Sequence, residues 1–143
     1  MKVLFLDFDG VLNSYKDRNF GREFSKAPCE NLNTLLERIK DLKIVISSAW
    51  RHLGLEECKE VLKENGINTD RVIDITGDER GERGHQIQCW LDRNPGVTGM
   101  AIVDDESDMA DLKSKLVKTN GFIGLTSKHV DEIVETLDKP MNK

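Results

Sequence analysis

Short, continuous runs of apolar residues alternate with longer amphipathic stretches along most of the chain. The apolar runs have the length and the β-branched content of strands, and they predict strands over residues 2–7, 42–46, 71–75, 100–103 and 115–119. Apolar residues at helical spacing predict a helix that starts at Pro28 and further helices over residues 54–65, about 84–93, 107–114 and 127–138. Such alternation is typical of an α/β fold whose parallel sheet is covered by helices on both faces.

Length and composition narrow the class of protein. With 143 residues the chain can bury one core but not two, so residues 1–143 are predicted to form a single domain. A net charge of −5 argues against a global basic field for nucleic acid, although a local basic rim remains compatible with it. Three widely spaced cysteines indicate reduced thiols in a cytoplasmic protein. The apolar runs are too short to span a membrane, and the first strand begins too early to leave room for a signal peptide.

Polar side chains follow three of the predicted strands. Asp7 and Asp9 end the first strand, Ser47 and Ser48 follow the second, and Asp104 and Asp105 follow the fourth. The carboxyl ends of parallel strands meet at one edge of a sheet, where α/β proteins place their ligand sites.

Neighbouring carboxylates repel each other unless a cation lies between them, and an all-oxygen site suits Mg²⁺. The region from Arg80 to Arg83 precedes a predicted helix and can reach the same edge. A nucleophile, a metal, a basic side chain and a hydroxyl are the groups that phosphoryl transfer requires.

The motifs that carry these groups resemble the haloacid dehalogenase (HAD) superfamily of phosphohydrolases. Asp-Phe-Asp-Gly-Val-Leu at residues 7–12 resembles its first motif, Ile-Val-Ile-Ser-Ser at 44–48 its second, and Ile-Val-Asp-Asp-Glu-Ser-Asp at 102–108 its fourth. Longer segments, among them Ile-Ser-Ser-Ala-Trp-Arg at 46–51, are similar to the small HAD domains of polyvalent (Swiss Army Knife) RNA-repair proteins. The resemblance implies a three-layer Rossmann-like fold with a mostly parallel five-stranded sheet in the order 5-4-1-2-3.

The resemblance also implies roles for individual residues. Asp7 would be the nucleophile that becomes a phospho-aspartate, and Asp9 the acid and base that serves the leaving oxygen and then water. Ser47 would bind a phosphoryl oxygen. Arg83, which fits better than Arg80, would replace the more usual lysine of the third motif.

Metal and substrate ligands are implied in the same way. Mg²⁺ would be held by Asp7, by the backbone carbonyl of Asp9, and by Asp104 or Asp105, between which the sequence does not decide. Asp104 with Asp108 has one of the spacings of the fourth motif, whereas a different alignment makes Asp105 the ligand. Three residues beside these groups are predicted to contact the substrate: Gly10, Ser48 and Arg51.

The spacing of the motifs leaves no room for a separate cap domain, only for a short flap at about residues 13–27. An open cleft favours a macromolecular substrate that excludes water by itself, such as a polynucleotide end. Basic and aromatic residues alternate in the flap and either contact a nucleic acid or anchor the flap to the core: Tyr15, Lys16, Arg18, Phe20, Arg22, Phe24 and Lys26. The alternatives are a small-molecule or protein phosphatase and a non-catalytic phosphate- or partner-binding module. Trp50 and Trp90 are assigned to packing.

Overall fold

The computed structural model describes residues 1–17 and 21–141. The strands are β1 (Lys2–Leu6), β2 (Leu42–Ile46), β3 (Val72–Ile75), β4 (Gly99–Asp104) and β5 (Leu116–Lys118). The helices are α1 (Lys26–Arg38), α2 (Leu55–Glu64), α3 (Arg83–Arg93) and α4 (Ser127–Asp138), with short 3₁₀ helices at Ala49–Leu53 and Ala110–Lys115.

The five strands form one sheet in the order β3-β2-β1-β4-β5, and every neighbouring pair is parallel. This confirms the predicted order, and β1 lies at its centre between β2 and β4. The paired residues at the end of β1 are Leu6 with Ile46 on one side and Leu6 with Val103 on the other. The residues that follow these pairs therefore lie side by side at one edge of the sheet.

Apolar side chains alternate between the two faces of the sheet because successive residues of a strand point to opposite sides. Leu4 and Leu6 belong to the larger core, which includes residues of α1, α2 and α4. Val3 and Phe5 belong to the smaller core on the other face, where Ile87 and Trp90 of α3 pack. The sheet is thus covered on both sides, as its continuous apolar strands predict.

One predicted helix differs in the structure. Residues 107–114 were expected to be α-helical, but the chain forms a 3₁₀ helix over Ala110–Lys115 that leads directly into β5. Ala110, the first residue of this segment, has a positive φ of 50°, which is incompatible with a right-handed helix that continues from residue 107. A residue that is distant in the sequence stabilises this turn, since the Ala110 N–H donates to Glu82 Oε1 at 3.0 Å.

The segment between β1 and α1 contains no helix or strand among its described residues, in keeping with a fold without a cap domain. Across residues 1–17 and 21–141, none of the helices has the length and apolar composition needed to cross a membrane.

Candidate active site

Three polar residues continue neighbouring strands at the carboxyl edge of the sheet. The Asp7 N–H donates to the Val103 carbonyl at 3.2 Å, and the Ser47 N–H donates to the Leu6 carbonyl at 2.9 Å. Ser47, Asp7 and Asp104 therefore stand in a row across β2, β1 and β4. The structure brings together the side chains that the sequence predicts at this edge.

An acidic cluster forms in this row. Asp7, Asp104 and Asp105 each offer a carboxylate oxygen, and these oxygens lie within 4.8 Å of one another. Asp7 and Asp104 are buried, whereas Asp105 is half-buried. A set made only of carboxylate oxygens suits a hard cation such as Mg²⁺, so these residues fit the metal that the sequence predicts.

The electrostatics of Asp7 favour either a proton or a cation in the cluster. Burial and, to a smaller extent, the nearby Asp104 carboxylate raise the pKa of Asp7 to about 8, against the opposing effects of Arg83 and the Phe8 N–H. Two buried carboxylates without a metal favour the protonated form of one of them. A divalent cation between them reverses this preference, because it stabilises both charges.

Arg83 reaches the cluster from the first turn of α3. Its Nη1 lies 3.0 Å from Asp104 Oδ2 and 3.3 Å from Asp7 Oδ1, so one guanidinium spans both carboxylates. The start of α3 can approach because Gly84 has no side chain: a Cβ there would lie 2.0 Å from the Met109 carbonyl oxygen. Arg83 occupies the position predicted for the basic residue, and Arg80 is exposed to solvent.

The two candidate metal ligands of the fourth motif have different contacts. Asp104 Oδ2 accepts from Arg83, and Asp104 Oδ1 accepts from the Glu106 N–H at 2.9 Å. Asp105 Oδ2 accepts from the Tyr15 hydroxyl at 3.3 Å. Asp108 instead accepts the Gly84 N–H with its carbonyl, at 3.0 Å, and so contributes to the approach of α3.

Ser47 contributes a buried hydroxyl beside Asp7, at the end of β2. Its side chain is fully buried, and among the described residues its Oγ has no hydrogen-bond partner. A buried hydroxyl without a partner is costly, so it indicates a group that the bound state supplies. This fits the phosphoryl oxygen that Ser47 is predicted to bind.

The predicted substrate contacts Ser48 and Arg51 have contacts within the protein. Ser48 Oγ accepts the Trp50 N–H at 3.2 Å and caps the 3₁₀ helix that follows β2. Arg51 is buried, and its guanidinium donates to the carbonyls of Gly77 and Ser48, both at 3.1 Å. Both side chains thereby fix the loop beyond Ser47, and their contact with the substrate stays a prediction.

Gly10 packs closely against Asp105 of the acidic cluster. It has a φ of +83°, and a Cβ at this position would lie 2.3 Å from Asp105 Oδ2. Its N–H donates to the Asn13 carbonyl at 2.9 Å, and its carbonyl accepts from Thr119 Oγ1 at 2.8 Å. Glycine is required here for both the backbone conformation and the close approach of Asp105, and a direct contact of Gly10 with the substrate stays a prediction.

Asp9 is half-buried and has a hydrogen-bond partner that sequence reasoning missed. Trp50 Nε1 donates to Asp9 Oδ2 at 3.0 Å, and Asn13 Nδ2 lies 3.4 Å from Asp9 Oδ1. The Trp50 ring also packs against Phe8 and Phe24, with ring centroids 5.8 and 5.4 Å away. Trp50 thus has the expected packing role and also orients Asp9. The sequence could have indicated this second role, because the indole N–H of a partly buried tryptophan needs a hydrogen-bond acceptor.

We expect the substitution Trp50→Phe to separate these two roles. Phenylalanine retains an aromatic ring against Phe8 and Phe24 but has no donor for Asp9. If Asp9 transfers protons, kcat should fall by about tenfold, which corresponds to one hydrogen bond to a charged group, while KM changes little. Steady-state kinetics on p-nitrophenyl phosphate, with thermal unfolding as a check on packing, measures this. A change in KM with constant kcat would place Trp50 in substrate binding instead.

The predicted flap is anchored to the body of the protein by its second half. Arg22 forms ion pairs with Glu57 and Glu64 of α2, and Phe24 is buried in the larger core. Arg18 and Phe20, for which the sequence left the same two alternatives open, lie outside the described residues. Arg22 and Phe24 therefore anchor the flap to the body of the protein, which is one of the two alternatives that the sequence left open.

Comparisons with known proteins bear on the family and on the fold of the chain. A family model described as the HAD domain in Swiss Army Knife RNA repair proteins matches residues 3–130. The structure is similar to the HAD domain of the effector protein Lem4 from Legionella pneumophila, with a TM-score of 0.63 and 14% identity over 96% of this chain and 95% of that chain. At that identity the likeness concerns the fold. No curated protein matches the sequence.

Proposed function

Because the chain belongs to the family of HAD domains found in Swiss Army Knife RNA repair proteins, we propose that it is a Mg²⁺-dependent phosphomonoester hydrolase acting through a phospho-aspartate at Asp7. The observation that carries this proposal is the convergence of Asp7, Arg83 and the unpartnered Ser47 hydroxyl at one edge of the sheet. These residues supply the groups that phosphoryl transfer requires: a carboxylate nucleophile, a cation and a hydroxyl donor.

The chemistry follows from these positions. The Asp7 carboxylate attacks phosphorus, and the bond between phosphorus and the leaving oxygen breaks as Asp9 donates a proton to that oxygen. Asp9, now a carboxylate, takes a proton from water, which attacks the phosphorus of phospho-Asp7. The acyl phosphate bond breaks, inorganic phosphate leaves, and Asp7 returns to its starting form.

The remaining residues stabilise charge during these steps. Ser47 donates to a phosphoryl oxygen, and Arg83 spans the nucleophile and the developing negative charge. Mg²⁺ would be held by Asp7, by the carbonyl of Asp9 and by Asp105, because both carboxylate oxygens of Asp104 already accept hydrogen bonds. When bound, it would neutralise the carboxylates and the phosphoryl oxygens. In this arrangement Asp104 aligns Arg83 and completes the acidic cluster.

The substrate that we propose is a phosphate on a macromolecule, a polynucleotide end in particular. The structure carries no cap domain over the cleft among its described residues, so a large substrate is what excludes water from the site. The family description, which concerns RNA repair, supports the same choice.

Metal removal tests the proposal. Hydrolysis of p-nitrophenyl phosphate should be lost in excess chelator and return when Mg²⁺ is added back. Thermal unfolding gives a second readout, since a cation that binds only the native state raises Tm. Undiminished hydrolysis in excess chelator would exclude the proposed role of the metal.

The pH dependence of stability tests the same cluster without a substrate. The pKa of Asp7 is raised by burial and by Asp104, so the native protein holds a proton that the unfolded chain releases between about pH 4 and pH 8. The contribution of this group to the stability of the metal-free protein therefore falls as the pH rises through that window. Tm should decrease over this range more steeply in the wild type than in Asp7→Asn, and saturating Mg²⁺ should reduce the difference. Equal pH profiles of the two proteins would contradict the cluster's electrostatics.

A further inference from the structure

Three exposed apolar side chains lie together near the acidic cluster. Tyr15, Phe122 and Ile123 are 43%, 59% and 49% exposed, and we refer to them as the apolar rim. Two backbone hydrogen bonds join their segments, from the Tyr15 N–H to the Gly121 carbonyl at 2.9 Å and from the Lys16 N–H to the Phe122 carbonyl at 3.0 Å. Adjacent exposed apolar groups of this size mark a binding surface more often than isolated ones do.

Hydrogen bonds hold the backbone of the loop that carries Phe122 and Ile123. In this tight loop after β5, the Asn120 carbonyl accepts from the N–H groups of Ile123 and Gly124 at 2.9 and 2.7 Å. Asn120 Oδ1 accepts the Phe122 N–H at 2.9 Å. A surface held in place before binding loses little conformational entropy when a ligand packs on it.

The rim also touches the proposed catalytic site. The Tyr15 hydroxyl donates to Asp105 Oδ2, and Asp105 belongs to the cluster with Asp7. The loop packs on the same two residues, since a Cβ at Gly121 would lie 2.6 Å from Asp105 Oδ2 and 2.7 Å from the Tyr15 ring. A group joined by a short linkage to a phosphate at Asp7 is therefore within reach of the rim.

We propose that the apolar rim binds the terminal nucleobase of a phosphorylated polynucleotide, a proposal that rests on the phosphatase function above. A nucleobase is a planar ring a few bonds away from a terminal phosphate, and any of the four bases can stack on an exposed aromatic face. The exposed Lys16, beside Tyr15, adds a cation for a neighbouring backbone phosphate. Phosphoserine and phosphothreonine carry no ring at this distance, which makes a nucleic acid the better fit.

A pair of oligonucleotides isolates the contact with the base. Both carry the same terminal phosphate, but one has a normal terminal nucleoside and the other an abasic sugar; 3′- and 5′-phosphorylated series are made of each. The ratio of kcat/KM between the two is measured for the wild type, for Phe122→Ala and for Ile73→Ala. Ile73 is a matched control, since it is 38% exposed on β3, at the opposite edge of the sheet from β5.

In at least one series the wild type should favour the base-bearing oligonucleotide by roughly tenfold, the size of one stacking contact. Phe122→Ala should bring the ratio close to one, and Ile73→Ala should keep the ratio of the wild type. A wild-type ratio near one in both series, or an unchanged ratio in Phe122→Ala, overturns the proposal.

Two further kinds of substrate, phosphopeptides and a small phosphate ester, separate the remaining outcomes. If phosphoserine or phosphotyrosine peptides are preferred to both oligonucleotides, and this preference is lost in Phe122→Ala, the rim is a peptide surface and the proposal is wrong. Glycerol phosphate reports on the chemistry alone. If glycerol phosphate is hydrolysed but the oligonucleotides show no effect of the terminal base, the binding role of the rim is wrong and the phosphatase function stands. If none of these substrates is hydrolysed, both proposals are wrong.

Discussion

The substitution Asp7→Asn is expected to reduce phosphomonoester hydrolysis by at least roughly a thousandfold, because the amide cannot serve as the nucleophile. The fold should survive the change. Asp7 is buried beside Asp104, so the neutral side chain removes a repulsion that destabilises the metal-free protein. Loss of activity together with an unchanged or raised Tm in chelator is therefore the expected pair of results.

A matched control for this variant is Asp70→Asn. Asp70 is exposed and precedes β3 at the opposite end of the sheet from the site, so its change should leave kcat and Tm near those of the wild type. Turnover of Asp7→Asn at a rate comparable to this control would exclude Asp7 as the nucleophile.

The substitution Asp9→Asn should reduce kcat by roughly 10²- to 10⁴-fold, the usual contribution of a general acid or base. Its effect should depend on the leaving group. An alkyl phosphate needs a proton on its leaving oxygen, whereas the nitrophenolate of p-nitrophenyl phosphate leaves without one, so the first step should suffer more with the alkyl substrate. Equal losses of the phosphorylation rate, measured in single-turnover experiments on both substrates, would contradict the role of Asp9 as acid.

Much of the fold could be predicted because the central strands are mostly apolar. Four consecutive residues of β1, Val3 to Leu6, and three of β2, Ile44 to Ile46, are apolar and buried, which favours a position inside the sheet. The strand order depended on the resemblance to a family, since apolar runs alone do not say which strands are neighbours. The 3₁₀ helix at Ala110–Lys115 was not predictable, because its start is set by Glu82 and Gly84, which are distant in the sequence.

The candidate site shows the same division. The positions of Asp7, Ser47 and Asp104 follow from strand ends, which is information local to the sequence. Contacts between side chains from different segments could not be predicted from the sequence. Examples are the hydrogen bonds of Trp50 to Asp9 and of Tyr15 to Asp105. Composition of a loop is an even weaker guide. The charge of Arg22 suggests a phosphate contact until the structure shows it paired with α2.

The most direct test of the central claim is to look for the phosphoryl group on Asp7. Asp9→Asn removes the base that would activate water, so a phosphoenzyme formed from p-nitrophenyl phosphate and Mg²⁺ should accumulate. Rapid acid quenching, proteolysis and mass spectrometry should then find the phosphoryl group on the peptide that contains Asp7, and no such adduct in the variant that also carries Asp7→Asn. Release of p-nitrophenol at a measurable rate with no phosphoryl group on Asp7 at any time would contradict the account.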